Sequence, residues 1–355
     1  MYDAPQARDF MLARNALGAS ITGLSARLDA DPDPADVAAK AELARLRARL
    51  GVEHHDDVRA ILAEGHRAWG DTDDVREPGD PELTRALARD LYRRDLRPRL
   101  AGIARERPTV LFIGGQTASG KTTCRQVVAR DLGLADAVSM DGDDLLDDHP
   151  RYRDTARADD RTAASLVGPH TSTWWTMAVE HMRAHDVDVV ISAPLGHAPW
   201  ALDRFRDFHA AGYRVEVALL AVPPAQSLLS LLDRWHRDRQ PDRHGFGRWV
   251  TPETHDRFLT GILDTADAAT ASGAVDALHV VRRGRGVVHS AAPGAGPRTV
   301  RALIEADRAR PWSPDERDDF DALTDHLAHS DARDARPLPP ELRPLLVDII
   351  ERGRA

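Results

Sequence analysis

Residues Gly115 to Thr123 read GQTASGKTT and contain the spacing G-x-x-x-x-G-K-T at Gly115, Gly120, Lys121 and Thr122. Phosphate chemistry needs this pattern for identifiable reasons. Glycines let backbone N–H groups close around phosphate oxygens with no Cβ in the way. A lysine adds a point charge at the β- and γ-phosphates, and a hydroxyl beside it can ligate Mg²⁺. Gly115, Gln116, Thr117, Ala118, Ser119, Gly120, Lys121, Thr122 and Thr123 are therefore expected to bind ATP or GTP. Lys121 is one of only two lysines, with Lys40, in a chain whose other cationic side chains are arginines. Further on, VSMDGDDLLDDHPRY places Asp141 and Asp143 two residues apart behind an apolar run. One carboxylate of such a pair can hold Mg²⁺ or its waters, and another can take the proton of an acceptor hydroxyl. Asp144 and Asp147 read more simply as acidic residues of the next helix start.

Both motifs need elements that hold them. An apolar run, Thr109–Ile113, precedes the glycine-rich loop, and a helix should follow it. On that helix Cys124, Val127, Val128 and Leu132 share a face, with Gly133 at its end. Cys124, the single cysteine, reads as a small buried hydrophobe. Further short apolar runs are Ala137–Met140, Val187–Ile191, Val215–Val222 and Ala277–Val281, each separated by helical spacing. The alternation predicts an α/β fold with a parallel sheet flanked by helices. In such sheets ligands bind outside the carboxyl ends of the strands, where the loop and the aspartates fall.

The ends have another character. Residues 1–75 carry helical spacing without a strand signal, and Asp71 to Pro81 is an acidic linker with turn dipeptides. A helix with Leu83, Leu87 and Leu91 then opens the core, assigned to residues 82–290. Past a Pro/Gly/Ala-rich hinge, residues 297–355 read as C-terminal helices.

Bulk composition narrows the function class. Length 355 and 42% hydrophobic content suit a large core with additions. A net charge of −9 argues against a duplex nucleic-acid binder. No run reaches the roughly 18 apolar residues of a membrane helix. The first ten residues lack a signal-type apolar stretch, and a single cysteine suits a reducing cytoplasm. A cytoplasmic enzyme acting on a small molecule is the expectation.

Several collinear stretches resemble the zeta-toxin family of P-loop kinases: GGQTASGKTT, MDGDDLLDDHPRY, AGYRVEVALLAVPPAQSLLSLLDRWHRD and GRWVTPETHD, over about residues 85–290. The resemblance implies an adenylate-kinase-like fold and phosphorylation of UDP-N-acetylglucosamine on its 3′-hydroxyl, in the toxin half of a toxin–antitoxin pair. It implies that Lys121 and Thr122 serve ATP and Mg²⁺, with Asp141 a further metal candidate. Asp143 becomes the general base. Arg234 and Arg248 become the arginines on the transferring phosphoryl group, a role that suits a fixed, permanently charged fork. The polar stretch Arg234–Arg248 also carries Arg237, Arg239 and Arg243 and reads as a mobile lid.

The acceptor end departs from the family. Where members carry Glu-Gly-Thr after the third strand, this chain has Ser192-Ala193-Pro194. Where they carry a sugar-contacting glutamate on the preceding helix, it has Thr176, with Glu180 one turn later. Thr176, Glu180, Ser192 and His197 are candidates for a reshaped acceptor pocket; Trp175 is either a fifth or, like Trp174, core. The acceptor is expected to be a nucleotide sugar, with a metabolic or antibiotic-inactivating kinase and a nucleotide-dependent switch as alternatives. Family toxins are neutralised by a separate helical antitoxin. Residues 1–75 are either a built-in equivalent or an extension for stability or dimerisation.

Overall fold

Val110, Leu111, Phe112 and Ile113 form an unbroken apolar run, which is stable only as a strand covered on both faces. The computed structural model, which describes residues 85–161, 163–291 and 297–354, places it at the sheet's centre. The expectations about residues 1–75 and the linker lie outside the described residues.

The core opens with α1 (Arg85–Leu91), extended by a π turn at Tyr92–Leu96 and a 3₁₀ turn at Arg97–Leu100. Strand β1 (Thr109–Gly114) leads through the glycine-rich loop into α2 (Lys121–Asp131). Then come β2 (Val138–Asp141), the short α3 (Asp144–Asp148), α4 (Tyr152–Ala158) and the long α5 (Ala163–Ala184). They are followed by β3 (Val189–Ala193), α6 (Ala198–Ala210), β4 (Arg214–Leu220), α7 (Pro224–Asp238) and α8 (Pro252–Ala271). A hairpin of β5 (Ala277–Arg282) and β6 (Gly286–Ala291) closes the sheet. The C-terminal helices are α9 (Pro297–Ala309), α10 (Pro314–Ala328), α11 (Ser330–Arg333) and α12 (Arg343–Arg354).

The sheet order is β2-β3-β1-β4-β5-β6. The first five strands are parallel and β6 is antiparallel to β5. All five apolar runs read from the sequence form strands, displaced by two residues or fewer at each end. Strand β6 carried no such signal, because Val287, Val288 and Ala291 are only half-buried and His289 and Ser290 face solvent.

The two-residue period of β1 separates two cores. Val110 and Phe112 face one side, with Trp174, Phe205 and Phe208. Leu111 and Ile113 face the other, with Cys124 and Val128 of α2. Cys124 is a buried free thiol in that layer, as its position on the inner helix face predicts. A third cluster joins α7 to the C-terminal helices through Leu228, Leu232, Trp235, Phe320, Leu346 and Ile349. Helices α10 and α12 are thus docked on the helix that carries Arg234. Among the described residues no helix is long and apolar enough to cross a membrane.

Candidate active site

The glycine-rich loop runs from the carboxyl end of β1 to the first turn of α2. Gly120 sits at that turn with φ of 93°, a left-handed conformation that costs glycine nothing. Ala118 is also left-handed, at φ 58°, where an ordinary residue needs external support. Arg283, from the β5–β6 turn, supplies it. Its Nη2 donates to Ala118 O at 2.6 Å, its Nε to Ser119 O at 3.1 Å and its Nη1 to Ser230 Oγ at 3.0 Å. The backbone amides at the start of α2 have no partners inside the helix, which leaves an anion site at the positive end of its dipole. Lys121 Nζ curls back to Gly115 O at 2.9 Å and Gln116 O at 3.2 Å. The Thr122 and Thr123 side chains are exposed at the same helix end.

The side chains of Gln116 and Ser119 point inward instead. Both residues are fully buried. Gln116 Nε2 donates to Val222 O at 3.0 Å and to Ser227 Oγ at 3.1 Å, fastening the loop to α7. Of the expected nucleotide ligands, these two can offer only backbone groups. Ser227 Oγ lies 2.8 Å from His255 Nε2, and His255 Nδ1 lies 2.8 Å from Asp256 Oδ1. This Ser–His–Asp array is a buried brace, because Ser227 and His255 are closed to solvent.

Sheet order puts the acidic pair one strand away from the loop, since β3 lies between β1 and β2. The two motifs nevertheless face each other electrostatically. Asp143 is surrounded by Arg248, Lys121 and Arg234. Arg248 Nη1 contacts Asp143 Oδ2 at 2.9 Å and also hydrogen-bonds Tyr152. Burial pushes the Asp143 carboxyl up, but Arg248, Lys121 and Arg234 outweigh it and hold the group below its ordinary value. The carboxylate is 56% exposed and open to an incoming hydroxyl. Asp143 occupies the N-cap position of α3 without a capping bond from its side chain.

Asp141 behaves oppositely. Burial, then the Asp143 charge, raises its carboxyl above the ordinary value. Its Oδ1 accepts the Asp143 N–H at 3.0 Å, and Oδ2 lies 4.0 Å from Arg125 Nη1. A buried carboxylate next to another carboxylate is relieved by a cation. With the exposed Thr122 hydroxyl at the facing helix end, the hard oxygen donors fit Mg²⁺.

Arg234 projects from α7 toward the same cleft. Its Nε and Nη2 atoms are buried and have no hydrogen-bond acceptor among the described residues. Burial lowers its affinity for the proton; Asp143 opposes this, and Arg248 adds to it. A desolvated guanidinium with two unused N–H groups, set beside two further cations, lacks an anion.

The stretch expected to be a mobile lid is tied down. Helix α7 runs through Asp238, so Arg234 and Arg237 stand on a helix. The turns beyond it are held by Arg239 on Asp160 at 3.2 Å and by Gly247 N–H on Asp160 Oδ2 at 2.9 Å. Arg336 Nη1 donates to Gly245 O at 2.6 Å and Arg239 O at 2.9 Å. A Cβ on Gly247 would lie 2.5 Å from Trp235 O, so only glycine allows the approach that aims Arg248 at Asp143.

The acceptor candidates are not brought together. Ser192 is fully buried, in register with Asp141, and its Oγ has no partner among the described residues. Thr176 is exposed and donates to Ser172 O at 3.1 Å, while the Glu180 charge falls on Tyr92. His197 caps α6 by accepting from Trp200 N at 3.4 Å. Trp175 is the residue that reaches the acidic corner: its ring lies 3.4 Å from where a Cβ on Gly142 would be, and 6.5 Å from the Trp200 ring centroid. Trp174 is core, with Nε1 donating to Ala88 O at 2.9 Å. Sequence reasoning missed Tyr152 and Arg283. The Arg282-Arg283 pair at the hairpin was visible, but nothing in the sequence tied it to a loop 160 residues earlier.

A mostly parallel sheet, a glycine-rich phosphate loop at its carboxyl edge and a cationic cleft over an aspartate define a P-loop kinase fold. Sequence comparison agrees, with the zeta toxin family model matching residues 98–292. The chain belongs to that family. It is 23% identical over 133 residues to the zeta toxin of Streptococcus agalactiae, a match covering 38% of this chain and 46% of that protein. It is 22% identical over 218 residues to the toxin PezT of Streptococcus pneumoniae serotype 4, covering 61% and 83%. The similarity thus spans about half the length of the S. agalactiae relative. A solved structure from the PezAT chromosomal toxin–antitoxin system of S. pneumoniae superposes with a TM-score of 0.58 at 18% identity, over 70% of this chain and 97% of that one.

Proposed function

We propose that this chain is a Mg²⁺-dependent kinase that transfers the γ-phosphoryl of ATP to a hydroxyl of a small molecule. The observation that carries the reading is Arg234: two buried N–H groups without acceptors, beside Lys121 and Arg248, over a carboxylate kept ionised. Such a cluster is matched to the equatorial oxygens of a transferring phosphoryl group.

In this reading the loop amides and Lys121 hold the phosphates. Thr122 and Asp141 would hold Mg²⁺, whose charge would offset that of the β- and γ-phosphates. Asp143 accepts the acceptor's proton as the new O–P bond forms and the bond to the β-phosphate oxygen breaks. A carboxylate clamped by Arg248 is a weak base. Phosphate oxygens that draw Arg248, Lys121 and Arg234 toward themselves restore its basicity when nucleotide is present. The base is thus muted in the empty site and released in the filled one.

The acceptor we propose first is a nucleotide sugar of the UDP-N-acetylglucosamine type, because the phosphate end keeps the family's residues. The named relatives are toxins, one of them in a toxin–antitoxin system, which supports a toxin role in the cytoplasm with an antitoxin partner or with residues 1–75 acting in cis. A second reading, a metabolic or antibiotic-inactivating kinase, is favoured by the altered corner. Ser192 is closed off, and the indole of Trp175 stands beside Gly142, with that of Trp200 next to it.

The test is a labelled-ATP assay over nucleotide sugars, antibiotics and cell extract. Lys121→Ala and Asp143→Asn are each expected to lower kcat by about 10²-fold or more. Transfer by Lys121→Ala at the wild-type rate overturns the kinase reading. Growth arrest on expression supports the toxin, and drug resistance supports the rival.

A further inference from the structure

Away from the cleft, three side chains from three elements converge where the C-terminal helices dock on α7. His236 Nε2 lies 2.8 Å from Asp334 Oδ2. His326 Nε2, from α10, lies 3.5 Å from the same oxygen. The three donor atoms all fall within 4.8 Å of one another. His236 is 1% exposed, so water does not compete for its ring, and its Nδ1 has no partner among the described residues. Asp233 adds a carboxylate that faces both imidazoles.

A simple polar clasp would need one imidazole on one carboxylate. Here a second ring, from a separate helix, is aimed at the same oxygen. In a tetrahedral Zn²⁺ site with bonds of about 2.0–2.2 Å, ligand atoms sit roughly 3.3–3.6 Å apart. The separations of 2.8 and 3.5 Å around Asp334 lie within a small adjustment of that spacing. Two nitrogens and one carboxylate oxygen are a donor set that suits Zn²⁺ rather than Mg²⁺ or Ca²⁺. The fourth position is open to water or to Asp233. The side chain of His326 is 39% exposed and provides the way in.

We propose that His236, His326 and Asp334 form a Zn²⁺-type metal site that staples the C-terminal helices to α7. His326 and Asp334 lie beyond residues 98–292, so the site belongs to this chain's own C-terminal segment rather than to the family core. It stands independently of the kinase reading. Its consequence for the cleft is positional: His236 lies two residues beyond Arg234 on the same helix.

The test uses the full-length, tag-free chain, stripped with chelator and titrated with Zn²⁺. About one equivalent should bind, raise the Tm, and be removed again by chelator. Replacement with Co²⁺ should give the visible absorption of a near-tetrahedral site. His326→Ala and Asp334→Asn should each weaken binding by at least about tenfold, the lower end of what even outer-shell changes cause. His326→Ala removes a half-exposed ring and leaves the His236–Asp334 bond intact, so the comparison holds even if Asp334→Asn loosens the tail. Absence of a bound equivalent in the wild type overturns the proposal. So does binding that survives both substitutions, or that is lost only on replacing His181 and His185, at the C-terminal end of α5, whose rings lie 4.0 Å apart.

Discussion

Asp143, Arg248 and Arg234 form one electrostatic unit, and each substitution within it has a distinct signature. Asp143 sits below its ordinary value because Arg248, Lys121 and Arg234 outweigh burial. It therefore stays ionised to lower pH than an ordinary aspartate does. Removing Arg248 raises the Asp143 value. The acid limb of kcat/KM in Arg248→Gln should accordingly move to higher pH, read from the full pH profile. Arg234 presents the opposite balance. Its buried, unaccepted N–H groups cost stability in the ligand-free chain. Arg234→Met should raise ligand-free stability by about 1–2 kcal/mol, and it should lower kcat by about 10²-fold or more. Calorimetry and turnover on one sample check both halves, and a destabilised, active variant would contradict the assignment.

At the scale of elements, the phosphate loop is held from outside as well as by its own glycines. Arg283 holds the carbonyls of Ala118 and Ser119 from the β5–β6 hairpin, and Gln116 fastens the loop's other side to Ser227 of α7. Arg283→Ala leaves the left-handed Ala118 without support. The expected result is a raised KM for nucleotide, by about tenfold for the loss of one to two hydrogen-bond equivalents, with a smaller effect on kcat. Strand β6 matters here despite its weak pattern, because it anchors the hairpin that presents Arg283. Its half-exposed residues lack the continuous apolar run that made the five parallel strands legible.

Across the whole molecule, a chain of net charge −9 brings Lys121, Arg234 and Arg248 together around Asp143. The arrangement draws an anionic ligand into the place where the charge is used. The C-terminal helices complete that cleft indirectly, since α10 and α12 cover the outer face of the helix bearing Arg234. The proposed action of residues 1–75 belongs to this scale. A chain lacking them should transfer phosphate faster, or arrest growth more strongly, than the full chain. Equal rates would leave them a role in stability or association instead.

The amino-acid sequence by itself determined what local rules can set. A glycine-spaced loop between an apolar run and a helix is expected to cradle phosphate, because its backbone amides and the helix dipole favour an anion there. The acidic pair at the next strand end, and the strand–helix alternation that carries both, were legible for the same reason. Arg234 and Arg248 came from likeness to a family. Only the tertiary structure decided what depends on side chains meeting across long stretches of chain. It turned Gln116 inward, closed Ser192 off from the cleft and brought Trp175 to the acidic corner. It set Arg283 under a loop far earlier in the chain, and gathered His236, His326 and Asp334 from three elements. Those meetings follow from which faces bury against which, and no local spacing encodes that choice.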